Sequence, residues 1–155
     1  MKTAIVTGAS KGVGYATVKL LSENGYRVIA VSRDLSKVIN LVSDNVEVYK
    51  LDITNADEIK KFYKMYSDIT LDLLVNNAGG GSGPTHLINE TMDNFRMAYD
   101  INVSGPIYLS QLFVPSMKKS DSDTIIFITS LCGKIPFRGG GNYSNAKRGE
   151  MALID

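Results

Sequence analysis

Apolar residues along the chain fall into five short blocks, at residues 4–7, 28–31, 46–49, 71–75 and 125–129. The blocks are rich in β-branched side chains and mostly lack polar alternation, the pattern of strands buried on both faces. The stretches between them have helical spacing. Val13, Thr17, Leu20, Leu21 and Asn24 line one side of the first, and Gly25 is placed to end it. Residues 54–57 (T-N-A-D) open the next helix in the manner of a capping box, and Ile59, Phe62, Tyr66 and Ile69 then recur at i, i+3, i+7 and i+10. Residues 92–117 read as one long helical segment, with a disturbance expected at Gly105-Pro106. A last helix is expected to start near Asn142. Strands alternating with helices predict an α/β fold, a parallel sheet with helices on both faces. No linker or repeat divides the 155 residues, so a single domain over 1–155 is expected.

Composition narrows the function classes mainly by exclusion. A formal net charge of +1 gives no electrostatic case for nucleic acid or an anionic membrane. No apolar run is long enough to span a bilayer, and the N-terminus enters a strand pattern without a secretory apolar region. The single Cys132 rules out an intrachain disulfide framework and fits a reducing compartment, so a soluble, cytoplasmic protein is expected. His86, the only histidine, reads as a solvated loop residue, and with no His/Cys cluster no metal site is expected.

The first strand runs into T-G-A-S-K-G-V-G at residues 7–14, immediately before the first helix. Strand, glycines, helix is the geometry that presents N–H groups to a phosphate. Gly8 would make the tight turn, Gly12 the close approach to the anion, and Gly14 the close helix–sheet packing. Three glycines are equally a generous turn; the placement after the first strand and Lys11 among them favour phosphate binding. Arg33 follows Gly14 by 19 residues, at the end of the second strand. At that distance dinucleotide folds distinguish a free ribose 2′-hydroxyl from a 2′-phosphate. Arg33 and Lys11 together favour NADP(H) over NAD, the alternative being two solvated surface charges.

Near the end of the chain Tyr143 and Lys147 stand at i and i+4, on one face of a helix. A free tyrosine, with a pKa of about 10, is a poor base near neutrality. An ammonium at about 4 Å favours the phenolate by about 4 kcal/mol before desolvation is counted. Such a pair suits general acid–base catalysis, although the same spacing also arises by chance on amphipathic helices. Ser130, 13 residues before Tyr143, ends the fifth strand, where a hydroxyl can orient a substrate carbonyl.

Taken in order, residues 7–14, Asp52-Ile53, Asn76-Asn77-Ala78-Gly79, Asn102-Val103, Ser130 and the Y-S-N-A-K of 143–147 make the sequence resemble the short-chain dehydrogenase/reductase family. The resemblance implies a Rossmann-type, doubly wound parallel sheet in three α/β/α layers. It also implies roles. Tyr143 would be the acid–base residue, with Lys147 holding the nicotinamide ribose and favouring the tyrosinate. Ser130 would orient the carbonyl oxygen. Asn102 would keep a helix disturbed and anchor a water that feeds protons to Lys147. Gly8, Ser10, Lys11, Gly12, Val13, Gly14 and Arg33 would hold the phosphates. Asp52 and Ile53 would flank the adenine, and Asn76, Ala78 and Gly79 would line the ribose side.

The family's members continue past the last helix recognised here, whereas this sequence stops at Asp155. The resemblance therefore implies that the last strands and the substrate-covering segment are lacking, and that the fifth strand is a sheet edge. The leading expectation is an NADP(H)-dependent oxidoreductase acting on a small carbonyl or alcohol, homo-oligomeric through the long and last helices. Small Ala146 and Gly149 would let a partner helix approach. The alternatives are a non-catalytic dinucleotide-binding or scaffold protein that lost turnover, and an unstable remnant needing another chain.

Overall fold

The computed structural model describes residues 1–121 and 123–153. Five parallel strands form one sheet: β1 (Thr3–Thr7), β2 (Arg27–Ser32), β3 (Val46–Lys50), β4 (Leu73–Asn76) and β5 (Thr124–Phe127). Their order is β3-β2-β1-β4-β5, so β3 and β5 are the edges. The connection leaving β1 toward β2 and that returning to β4 run in opposite directions across the sheet. A crevice therefore opens at the carboxyl ends of β1 and β4, where such sheets bind ligands.

Successive β1 residues point to opposite faces and are all buried, which is why β1 reads as a continuous apolar block. Ile5 packs with Ile59, Phe62 and Phe113 on one face. Val6 packs with Val18, Val38 and Val75 on the other. Helix α2 (Ala56–Tyr66) and helix α4 (Gly105–Met117) cover the first face, and α1 (Gly12–Glu23) with two 3₁₀ turns at residues 35–41 covers the second. The fold is the three-layer, Rossmann-like arrangement, and the five strands are those the apolar blocks predict.

Two details differ from the sequence reading. In α1 the inward residues are Gly14 and Val18; Val13 and Leu20 are 57% and 60% exposed. The stripe through Val13 and Leu20 is therefore not the buried one. Gly14 must face the sheet, because any Cβ there would press on Gly8 O and the Asn77 amide, and this sets the rotation of the whole helix. In α2 the cap is Asn55, whose Oδ1 accepts from the N–H groups of Asp57 and Glu58, at 3.1 and 3.2 Å. Glu58 reaches back to the N–H of Asp52 at 2.8 Å, one turn of chain earlier than a capping box requires. The buried stripe Ile59, Phe62 and Tyr66 is as the spacing predicts.

The long segment divides into α3 (Met92–Tyr99), a π-helical turn (Asp100–Ser104) and α4. The disturbance lies just before Gly105-Pro106. Proline has no N–H to give to the carbonyl four residues back, which is that of Asn102. The Asn102 side chain meanwhile donates to Ala98 O at 2.6 Å. The last helix, α5 (Gly141–Met151), begins one residue before Asn142 and packs on α3 and the π turn.

Candidate active site

Thr7 joins the two strand ends that frame the crevice. Its Oγ1 donates to Val75 O at 3.3 Å and accepts from the N–H groups of Asn77 and Ala78, both at 3.0 Å. The Asn77 amide donates to Thr7 O at 2.9 Å and Gly8 O at 3.1 Å. The glycine turn after β1 is thus bonded directly to the turn after β4. Gly8 takes φ +67° and leaves no room for a Cβ beside Ala78.

A cleft of about 410 Å³ lies over this junction. Gly8, Ser10, Lys11, Gly12, Val13, Arg33, Ile53, Ala78 and Gly79 all line it. Helix α1 enters the cleft with no side-chain cap and no acidic residue in its first turn, so its leading N–H groups are left to a ligand. Gly12, at φ +55°, has open space where a Cβ would stand. Lys37, which the sequence reading passed over, lines the same cleft. Asp34 is occupied: its carboxylate accepts from Ser36 Oγ at 2.7 Å and Ser36 N at 3.1 Å, with Lys37 Nζ at 3.6 Å. The Ser36 hydrogen bonds, with help from Lys37, hold its carboxyl below the usual range.

Five of the residues expected at the cofactor do not line the cleft; two of them, Tyr143 and Lys147, stand on α5, beyond Gly79. Gly14 is buried beneath it, against Gly8 and Asn77. The Asp52 carboxylate accepts from Thr54 N and Thr54 Oγ1, at 2.9 and 2.8 Å, and shapes the turn into α2. Asn76 is 1% exposed and donates to Ser110 Oγ of α4 at 3.0 Å. Asn77, not Asn76, serves the glycine turn, because adjacent strand residues face opposite ways.

Gly79 carries the cleft on toward α5. A Cβ on Gly79 would lie 3.2 Å from Lys147 Nζ and closer still to Asn102 Oδ1. Lys147 is 3% exposed; its Nζ donates to Ile128 O at 2.8 Å and to Glu150 Oε2 at 2.7 Å. The same Nζ stands 5.9 Å from the centre of the Tyr143 ring. Asn102 closes on the backbone of Gly80, accepting from its N–H at 3.2 Å and donating to its carbonyl at 2.6 Å. The amide therefore clamps the loop after β4. Ser130 is half-buried just past β5, and its Oγ accepts from Cys132 N at 3.2 Å, which leaves its hydroxyl proton to donate.

Sequence reasoning missed the support of Tyr143. Asn142 donates to Ser82 Oγ at 2.7 Å and to the Glu90 carboxylate, which also receives Asn94 Nδ2 at 2.7 Å. Those bonds, the one from Asn94 foremost, hold the Glu90 carboxyl below its usual range. Thr85 N donates to Gly139 O at 2.7 Å. Two loops are thereby tied across the start of α5, and a hollow of about 170 Å³ forms between Gly81, Pro84, Phe137 and Tyr143. Ala146 and Gly149 also receive a different explanation. Ala146 is buried, and a Cβ on Gly149 would meet Tyr99 and Val103, so these small residues admit the chain's own neighbouring helix.

The curated relatives and solved structures agree with this architecture. A 3-amino-tetrahydro-pyrrolizinone reductase of Xenorhabdus hominickii is 36% identical over 99% of this chain and 54% of its own length. An uncharacterized oxidoreductase of Staphylococcus saprophyticus is 32% identical over 99% of this chain and 65% of its own length. The chain thus spans between about half and two thirds of these relatives. A short-chain dehydrogenase from Streptomyces avermitilis superposes with a TM-score of 0.89, at 29% identity over 99% of this chain and 59% of that one. A 7α-hydroxysteroid dehydrogenase complexed with NADH and 7-oxo glycochenodeoxycholic acid gives 0.90, at 30% identity over 98% of this chain and 62% of that one. The family model described as short chain dehydrogenase matches residues 2–155, and the chain belongs to that family.

Proposed function

We propose that the protein is an NADP(H)-dependent oxidoreductase that moves hydride between a nicotinamide cofactor and a carbonyl or alcohol substrate, with Tyr143 as general acid–base. The observation that carries the reading is the position of Lys147 Nζ. It lies against Gly79, a wall of the glycine-turn cleft, and on the same helix face as the Tyr143 ring. One group therefore stands between a wall of the cleft and the Tyr143 ring, which supports the reading.

The residues present fit a dinucleotide. The open position at Gly12 and the uncapped start of α1 suit a diphosphate. Lys11, Arg33 and Lys37 supply three cations, while the nearby Asp34 is engaged by Ser36. A 2′-phosphate is favoured by that balance over a bare ribose hydroxyl. Relatives of known structure carry both kinds of cofactor, NADH in the 7α-hydroxysteroid dehydrogenase and 5-hydroxy-NADP in an alcohol dehydrogenase of Thermococcus sibiricus. The bound nicotinamide would supply or accept the hydride.

The chain's own groups divide the remaining work. Ser130 Oγ donates to the carbonyl oxygen of the substrate, and Tyr143 Oη gives that oxygen its proton or takes it away. Two of the three Lys147 N–H bonds go to Ile128 and Glu150, leaving the third for a ribose hydroxyl. Asn102 holds Gly80, and with it Gly79, against the lysine. Met92, Met97 and Tyr99 of α3 are 64%, 40% and 45% exposed, which supports self-association through the long helical segment and α5.

The deciding experiment compares the parent with Tyr143→Phe. Oxidation of NADPH with a panel of ketones should fall at least about 100-fold, the usual contribution of a general acid. Calorimetric NADPH affinity should stay within about twofold, since the phenol oxygen is the only atom lost. Equal turnover in the variant would refute the reading.

A further inference from the structure

Glu150 is a charged residue for which neither the fold nor the proposed chemistry accounts. Its residue is 1% exposed. Its Oε2 pairs with Lys147 Nζ at 2.7 Å, while Oε1 is buried without a hydrogen-bond partner among the described residues. It is the penultimate residue of α5, where the helix dipole disfavours an anion. A buried ion pair with an unsatisfied oxygen is a poor source of stability, and an apolar pair of similar size would serve the fold as well or better.

We infer that Glu150 is a positioning residue for the Tyr143–Lys147 pair: it holds the lysine ammonium against Gly79 and balances its charge, so that the field at Tyr143 depends on the charge of Glu150. The inference rests on the catalytic reading above, which assigns Tyr143 and Lys147 their roles. Geometry supports both halves. Lys147 Nζ has two anchors, Ile128 O on one side and Glu150 on the other, and the second carries charge.

Burial pushes the Glu150 carboxyl up from its usual range, against the opposing pull of Lys147. The other titratable groups on α5 and the elements packed on it are Asp93, Arg96, Tyr99, Asp100, Cys132, Tyr143 and Arg148. Asp93 and Arg96 pair with each other at 2.9 Å, and Arg148 donates to Gly133 O at 3.2 Å. Among the described residues, Lys147 is the one charged group that acts on Glu150. With Glu150 ionised, the lysine charge is offset. With Glu150 neutral, the ammonium faces Tyr143 uncompensated and favours its phenolate.

The test substitutes Glu150→Gln, which keeps an oxygen for Lys147 and removes the charge. The ultraviolet signal of tyrosinate is titrated in the parent and the variant, each against its own Tyr143→Phe background. The Tyr143 signal should appear at lower pH in Glu150→Gln by about one pH unit, a tenfold change in the ionisation equilibrium. The rising limb of kcat/KM for alcohol oxidation should move the same way, with KM for NADP little changed. Glu150→Met, neutral and apolar, gives the same readout should the glutamine variant not fold. A downward shift in the absence of any turnover would support the charge balance while refuting the proposed activity. Unmoved titration in both variants, with only a loss of stability, would overturn the inference.

Discussion

Lys147 Nζ donates to the carbonyl oxygen of Ile128 at 2.8 Å, so the ammonium of α5 is fixed to the chain leaving β5. A helix and a strand end are thereby locked at the point where cofactor and substrate would meet. The lysine is 3% exposed and its Nζ is held by Ile128 O and Glu150 Oε2, so a guanidinium would have to rearrange both contacts. Lys147→Arg should therefore behave like Lys147→Met, each losing about 100-fold or more in turnover. Steady-state kinetics with calorimetric NADPH binding would check this, and near-parent activity in the arginine variant would show that a positive charge alone suffices.

Arg33 lines the glycine-turn cleft beside Lys11 and Lys37. A charge-assisted hydrogen bond to phosphate contributes about 1.5–3 kcal/mol. Arg33→Ala should thus weaken NADPH by about 10- to 100-fold while changing NADH less than about threefold. Titration calorimetry with both cofactors measures the ratio. Uniform weakening of the two would place Arg33 away from any 2′-phosphate.

The same cleft depends on Gly14, and here packing reverses the sign of helix propensity. Alanine is a better helix former than glycine by about 1 kcal/mol. A Cβ at Gly14, however, would press on Gly8 O and the Asn77 amide, both held by the β1–β4 junction. Gly14→Ala should lower stability by about 1–3 kcal/mol, the usual cost of overpacking, and also weaken NADPH. Urea unfolding with an unchanged m-value would read the first effect.

These positions also show how far the sequence was legible. The strands were visible because a parallel sheet buried on both faces leaves uninterrupted apolar blocks, as β1 and β2 do. Tyr143 and Lys147 were visible because helical spacing alone puts them on one face. The inward face of α1 was not, since its key contact is made by Gly14, which has no side chain to register in an apolar pattern. Two adjacent asparagines offer the same amide, and only the direction of β4 decides that Asn77 serves the turn while Asn76 faces Ser110. Glu150 and Asn142 look like ordinary polar helix residues. Their burial follows from how α5 lies against α3 and the loops at residues 82–90, which no local pattern encodes.

Thr7 tests whether the junction is a structural hinge of the site. Its hydroxyl serves three backbone groups, and the residue is 1% exposed. Thr7→Val keeps the shape but leaves the Ala78 N–H without its acceptor and the Asn77 N–H with Val75 O alone. A buried donor left unpaired costs about 1–3 kcal/mol, so a loss of about 2 kcal/mol is expected. Chemical denaturation measures it, and amide exchange protection should be lost first at residue 78.

Asp72 provides a pH-dependent test far from the crevice. Its Oδ2 accepts from Thr3 N at 2.7 Å and its Oδ1 from Ser120 Oγ at 2.6 Å, pinning the start of β4 to β1. Burial pushes the carboxyl up, but the Ser120 and Thr3 hydrogen bonds, with Lys2 nearby, outweigh it and hold the carboxyl below its usual range. A group lowered in the folded state binds fewer protons there than when unfolded, so its stabilisation is complete above the ordinary carboxylate pKa of about 3.9. The stabilisation is lost as pH falls through the lower folded value. Asp72→Asn should therefore destabilise the protein by about 1 kcal/mol at pH 7, with the gap to the parent closing below about pH 4. Thermal unfolding of both proteins across that range provides the check. A gap that stayed constant down to the acid limit would mean that the Asp72 contribution comes from hydrogen bonding alone, without the carboxylate charge.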